Sequence, residues 1–145
     1  MTFAPLDPDF AERVRKSFEA QALMRLIGAR LERVEPGEVD IGLPFGRDLT
    51  QQHGHLHAAV VTAIADSACG YAASTLMPPG SEVLSVEYKV NLLRPASGSR
   101  FLARARVLKA GRTLTVAAAD VLGFETDASA AGKLVAVMQA TMIRA

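Results

Sequence analysis

Residues 53–76 read HGHLHAAVVTAIADSACGYAASTL, and this stretch decides the fold. Three alternating histidines, His53, His55 and His57, lead into a run of small or apolar residues that holds one carboxylate, Asp66. The run stops before Pro78-Pro79-Gly80, which no helix continues through. A helix apolar on every side is normally buried on every side. A carboxylate inside it is costly to desolvate and needs a partner or a task. The length of the run raises the question of a membrane span. Its alanine, serine, threonine and glycine content and its central aspartate drive insertion poorly.

On the N-terminal side, Asp7-Pro8 is a helix start, and Phe10, Val14 and Phe18 follow at helical spacing. Glu12, Arg13, Arg15, Lys16 and Glu19 read as the solvated face of that amphipathic helix. From Ala29 the period changes. Leu31 and Val34 lead to the turn Pro36-Gly37, and Val39, Ile41, Leu43 and Phe45 then alternate with polar or small residues, as in a hairpin.

Beyond the central helix the pattern is strand after strand. Leu84, Val86, Tyr88, Val90 and Leu92 are expected on one face, with Ser85, Glu87, Lys89 and Asn91 on the other. Phe101, Ala103, Ala105 and Val107 alternate before a turn at Lys109–Arg112, and residues 113–122 and 133–143 read as the last strands. The polar segment 125–132 between them reads as a mobile loop.

These elements predict an α+β chain: five to six antiparallel strands in one sheet, wrapped around the long helix. Residues 1–145 read as a single domain, with 1–27 as an N-terminal helical segment. A sheet leaves part of such a helix uncovered, so a second copy of the chain is expected to cover it, as a homodimer or a dimer of dimers.

The 145 residues suffice for a sizeable core, and half of them are hydrophobic. A formal net charge of +1 gives no reason to expect nucleic acid as partner. The single cysteine, Cys69, suits a reducing compartment and a small buried side chain. The opening MTFAPLDPDF lacks the basic and apolar runs of a signal peptide, so the expectation is a cytoplasmic protein without a membrane partner.

With a helix wrapped by sheet, QQHGHLHAAVVTAIADSACGYAA (51–73), SVEYKVNLLRPA (85–96) and VLKAGRTLTV (107–116) together resemble the hot-dog-fold acyl-CoA thioesterases, in their PaaI-like, phenylacetate-degradation-type branch. That resemblance implies an acyl-CoA substrate, with coenzyme A entering as part of the substrate and no separate cofactor. It aligns Asp66 with the catalytic acid and His57 with the histidine of an Asn…His-Gly-Gly motif. Gln51 stands in place of the asparagine, and Ala58 and Ala59 in place of the glycines. Ser85 matches a supporting hydroxyl, and Arg94, Lys109 and Arg112 fall where relatives contact the nucleotide end of coenzyme A.

Thioester hydrolysis needs an attacking group and a holder for the charge that develops on the carbonyl oxygen. The first turn of a helix offers unpaired N–H groups and the positive dipole end, which makes the Ala58 N–H the candidate oxyanion donor. Asp66 could act as general base or as nucleophile. It lies too far along the helix to meet Ala58 in one chain, so a site shared by two subunits is expected. The histidine spacing invites a metal reading, but no cysteine or acid lies near in sequence to complete a set, and none is expected. A serine triad lacks its nucleophile elbow. The competing readings are an enoyl-thioester hydratase of the same fold and a non-catalytic acyl-CoA-binding module.

Overall fold

The structure, a computed structural model, describes residues 2–145. Helices α1 (Phe10–Ala20) and α2 (Ala22–Ile27) precede a hairpin of β1 (Arg30–Glu35) and β2 (Glu38–Pro44). The central helix α3 (Ala58–Ser74) follows, and then β3 (Val83–Leu92), β4 (Arg100–Ala110), β5 (Leu114–Phe124) and β6 (Lys133–Arg144). The six strands form one antiparallel sheet in the order β1-β2-β4-β5-β6-β3. Helix α3 packs against β2 to β6.

The apolar character of α3 is spent on that contact. Val61, Ile64, Ala65, Ala68, Cys69 and Ala72 are all buried, against Ile41, Ala103, Ala119, Val121 and Met142 of the sheet. The small side chains among them, Ala65, Ala68, Cys69 and Ala72, let the sheet approach the helix closely. The opposite stripe is only partly covered: Ala59, Thr62, Ala63, Asp66, Ser67 and Gly70 recur at helical spacing along one face. Asp66 therefore lies on the uncovered face of a helix whose other sides are core.

Three expectations change. Arg13 does not belong to a solvated face. Its guanidinium donates to the carbonyls of Ser74 (2.8 Å), Met77 (3.2 Å) and Pro78 (2.8 Å), at and beyond the end of α3. A cation there suits the negative end of the helix dipole and adds a second donor to the Ser74 and Pro78 carbonyls, which also accept from Met77 N–H (3.1 Å) and Ser81 N–H (3.2 Å). Buried Asp7 stands 3.3 Å from Arg13 Nε and holds it there. The N-terminal segment is also two helices rather than one. Gln21 is extended (φ −77°, ψ 104°) and separates α1 from α2.

The third change concerns β3, where strict alternation fails. A bulge between Ser85 and Glu87 leaves Val86 without a partner on β6. One extra residue returns Ser85 to the same side as Tyr88 and Val90, facing α3. β3 is also the sheet's outer strand, so the apolar residues assigned to it are not core. Leu84 is 57% exposed and Tyr88 45%. The 125–132 segment is held by hydrogen bonds between Ser99 and Asp127 (3.1 Å) and between Lys133 and Glu125 (2.6 Å).

Candidate active site

The turn leading into α3 is fixed by its own backbone. His57 N–H donates to the Leu49 carbonyl (2.8 Å) and Leu56 N–H to that of Ala96 (3.0 Å), which ties the loop to the end of the sheet. Gln51 braces the same loop from its side chain. Its Oε1 accepts from the N–H groups of His53 (2.6 Å) and His55 (3.2 Å). His57 is the N-cap of α3, and its Nδ1 accepts from Ala59 N–H at 2.9 Å. As an acceptor, that nitrogen carries no proton, which fixes the neutral ring's hydrogen on Nε2.

The amides of the first turn are then divided unequally. Ala59 bonds the His57 ring, and Val60 N–H donates to the His57 carbonyl at 2.9 Å. Ala58 N–H has no acceptor among the described residues. Ala58 lines a cavity of about 350 Å³ together with Gln51, His55, Leu92, Leu93 and Arg94. Its main-chain donor is thus available at the positive end of a long helix.

Asp66 lies elsewhere. Ser85 Oγ donates to its Oδ1 at 2.7 Å, so the strand that carries the bulge orients the carboxylate. Ser85 Oγ also stands 3.4 Å from the sulfur of Met142. Asp66 borders two adjoining cavities on the uncovered face of α3, one with Ala59, Ala63, Tyr88 and Val90, the other with Gly70, Tyr71 and Ser85. Neither contains Ala58. Eight residues of helix separate Ala58 from Asp66, about 12 Å along the axis at 1.5 Å per residue.

The basic residues are not clustered within one chain. Arg94 borders the Ala58 cavity at the start of α3. Lys109 is next to last in β4, and Arg112 borders a groove with Leu76, Met77 and Pro78, beyond the other end of α3. The 17 residues of that helix span about 25 Å. Among the described residues, no group of three or more His, Cys, Asp or Glu is arranged to hold a metal ion. Cys69 is wholly buried, and burial first, then the nearby charge of Asp66, push its thiol up to about 12. It is packing, not a nucleophile.

Gln21, Ser67 and Tyr88 border the Asp66 cavities and were not singled out in the sequence. Only the partly exposed polar positions beside Asp66 on its own helix face, Thr62 and Ser67, carried a local signal. Gln21 carried none, because its role depends on where α1 docks.

The sequence pattern of the thioesterase superfamily matches residues 53–142, more than half of the chain, including His57, Ala58, Asp66 and Ser85. The chain belongs to the thioesterase superfamily. A thioesterase family protein from Silicibacter pomeroyi superposes with a TM-score of 0.89 at 49% identity, covering 93% of this chain and 97% of that one. The PaaI protein of the Escherichia coli phenylacetic acid degradation operon superposes with a TM-score of 0.83, covering 97% and 96%. At 18% identity, it shows the shared hot-dog fold alone.

Among curated relatives, a Sulfurisphaera tokodaii protein whose name proposes an esterase is 31% identical over 107 residues, 74% of this chain and 77% of its own length. A Halobacterium salinarum protein named in the same way is 28% identical over 119 residues, 79% of this chain and 78% of its own. Membership of this superfamily makes the chain a hydrolase of thioesters in general terms. No described helix is long and apolar enough to cross a membrane.

Proposed function

We propose that this thioesterase hydrolyses acyl-CoA esters at a site completed by a second copy of the chain. The observation that carries the proposal is the division of the chemistry along α3. A main-chain N–H without an acceptor stands at the helix start, and an oriented carboxylate about 12 Å further on, in separate cavities.

The free edge of β3 supplies the means of completion. It is ten residues long, unpaired on one side, and carries the exposed side chains Leu84, Val86, Tyr88 and Leu92. An edge of that length and polarity is a template for another strand. Two-fold pairing of β3 with its own copy would join the sheets and run the two α3 helices antiparallel, face to uncovered face. The start of one helix then approaches the middle of the other, and Ala58 N–H meets the partner subunit's Asp66. The same symmetry brings Arg94 to the end where the partner subunit's Lys109 and Arg112 lie, and three cations there suit the phosphates of coenzyme A.

In this arrangement the thioester carbonyl oxygen accepts from Ala58 N–H. Asp66 either takes a proton from water as that water attacks, or attacks itself to give an anhydride that water opens. Both routes consume one water and release a carboxylic acid and coenzyme A as the thiol. Ser85 leaves Asp66 Oδ2 free for either role. The residues present supply both needs of the reaction without a metal or a further cofactor.

A thiol-release assay over a panel of aliphatic and aromatic acyl-CoAs, beside an enoyl-CoA, tests the proposal. Release of coenzyme A is expected. Loss of enoyl absorbance without thiol release would mean a hydratase, and binding without turnover a carrier; either would overturn it.

A further inference from the structure

The N-terminal helices bring a polar cluster to the edge of the Asp66 cavities. Gln21 Nε2 donates to Tyr71 Oη at 3.1 Å, and Ser67 Oγ donates to Gln21 Oε1 at 3.1 Å. Ser17 Oγ stands 3.2 Å from the same Tyr71 oxygen. The tyrosine ring is buried and held edge-on by Phe18 at 6.0 Å, so its hydroxyl is a fixed point. The extended backbone at Gln21, where α1 breaks from α2, is what turns its amide toward α3.

Gln21, Asp66 and Ser67 are the three residues common to both cavities that Asp66 borders. The cavity beneath α1 measures about 290 Å³, and four of its lining side chains besides Asp66 and Ser85 end in hydrogen-bonding groups: Ser17, Gln21, Ser67 and Tyr71. Their mutual bonds leave capacity unspent. Gln21 Nε2 keeps a second hydrogen, its Oε1 a second lone pair, and Ser67 Oγ its lone pairs.

An amide with one free donor and one free acceptor beside a hydroxyl fits a ligand hydroxyl or carbonyl. It fits a methyl poorly, because burying the amide against hydrocarbon leaves those groups unpaired.

We propose that Gln21, positioned by Tyr71 and Ser67, is a specificity-determining residue. The recess beneath α1 would receive the distal end of the acyl group and favour one that carries a hydroxyl or carbonyl there. This rests on the acyl-CoA reading above and adds the class of acyl group.

The test compares hexanoyl-CoA with 6-hydroxyhexanoyl-CoA on the full chain, by kcat/KM for thiol release and by Kd of the matching non-hydrolysable CoA thioethers. The wild type should prefer the hydroxylated member about tenfold or more, the scale of one neutral hydrogen bond and its unpaired penalty. Gln21→Leu and, separately, Ser67→Ala should bring the ratio to within about twofold, with Tyr71→Phe intermediate. Each ratio is internal to one variant, so a general loss of activity does not affect it. A wild type that does not discriminate, or variants that fold and keep its ratio, would overturn the proposal. Thioether preference without thiol release would leave the recess intact and refute the hydrolase reading instead.

Discussion

Replacing Asp66 by asparagine isolates the charge from the shape. The amide oxygen can still accept the hydrogen that Ser85 Oγ now donates at 2.7 Å, and the side chain sits on the partly exposed face of α3 rather than in the core. Stability should therefore change by no more than about 1 kcal/mol, with a thermal midpoint within a few degrees of wild type. Activity should respond on another scale. Positioned acid–base catalysis contributes roughly 10²–10⁴ in rate, and at about 1.36 kcal/mol per tenfold the loss corresponds to about 3–5.5 kcal/mol of transition-state stabilisation. KM should move little, because the cavities beside Asp66 keep their walls. The assay is kcat and KM by thiol release beside a thermal melt. A folded Asp66→Asn protein with kcat within tenfold of wild type would refute the reasoning, since no other carboxylate lines either cavity that Asp66 borders.

Other perturbations probe separate parts of the account. Arg13→Ala removes three hydrogen bonds to the carbonyls of Ser74, Met77 and Pro78 and leaves buried Asp7 without its cation. It should lower stability by about 2–3 kcal/mol in denaturant unfolding while Arg15→Ala, on the exposed face, changes little. Tyr88→Asp puts a charge at an exposed apolar position of the free β3 edge. Light scattering should report a shift toward monomer, with thiol release falling in step. Cys69, raised from 9.0 to about 12 mainly by burial, should resist iodoacetamide at pH 8 in the folded protein and react after unfolding. Because the unfolded thiol loses its proton first, stability should fall as pH rises from about 9 toward 12, by at most ~1.4 kcal/mol per pH unit, and Cys69→Ala should remove that slope.

The fold was legible because its signals are local. A run of alanine, serine and glycine around one acid, stopped by Pro78-Pro79, needs no tertiary information to be recognised as a helix buried on most sides. The alternation of Phe101, Ala103, Ala105 and Val107 likewise identifies the buried face of β4. What escaped depends on partners distant in sequence. Arg13 has the spacing of a surface residue, and only the docking of α1 across the end of α3 turns it inward. The bulge at Val86 inverts the first three residues of β3 without any glycine or proline to announce it, and it is what brings Ser85 to Asp66.

The candidate site was legible in the same uneven way. Asp66, Ser85 and Ala58 are candidates that motif and chemistry alone point to, whereas Gln21 becomes one only beside Ser67 and Tyr71. Arg94 lies near one end of α3, and Lys109 and Arg112 near the other. Only a second chain, as proposed, would group them, and no single-chain pattern carries that information.

If one site draws its donor and its acid from different subunits, two inactive variants should restore each other's activity when mixed. Ala58→Pro deletes the proposed oxyanion N–H at the first helical position, which proline tolerates, and His57 already has the extended backbone that a following proline requires (φ −62°, ψ 139°). Asp66→Asn deletes the acid. Each homodimer should be inactive. After unfolding and refolding the two together in equal amounts, half of the dimers are mixed, and each of these holds one intact site, so about a quarter of wild-type activity should return. If both elements served the same chain's site, the mixture would stay as inactive as its components.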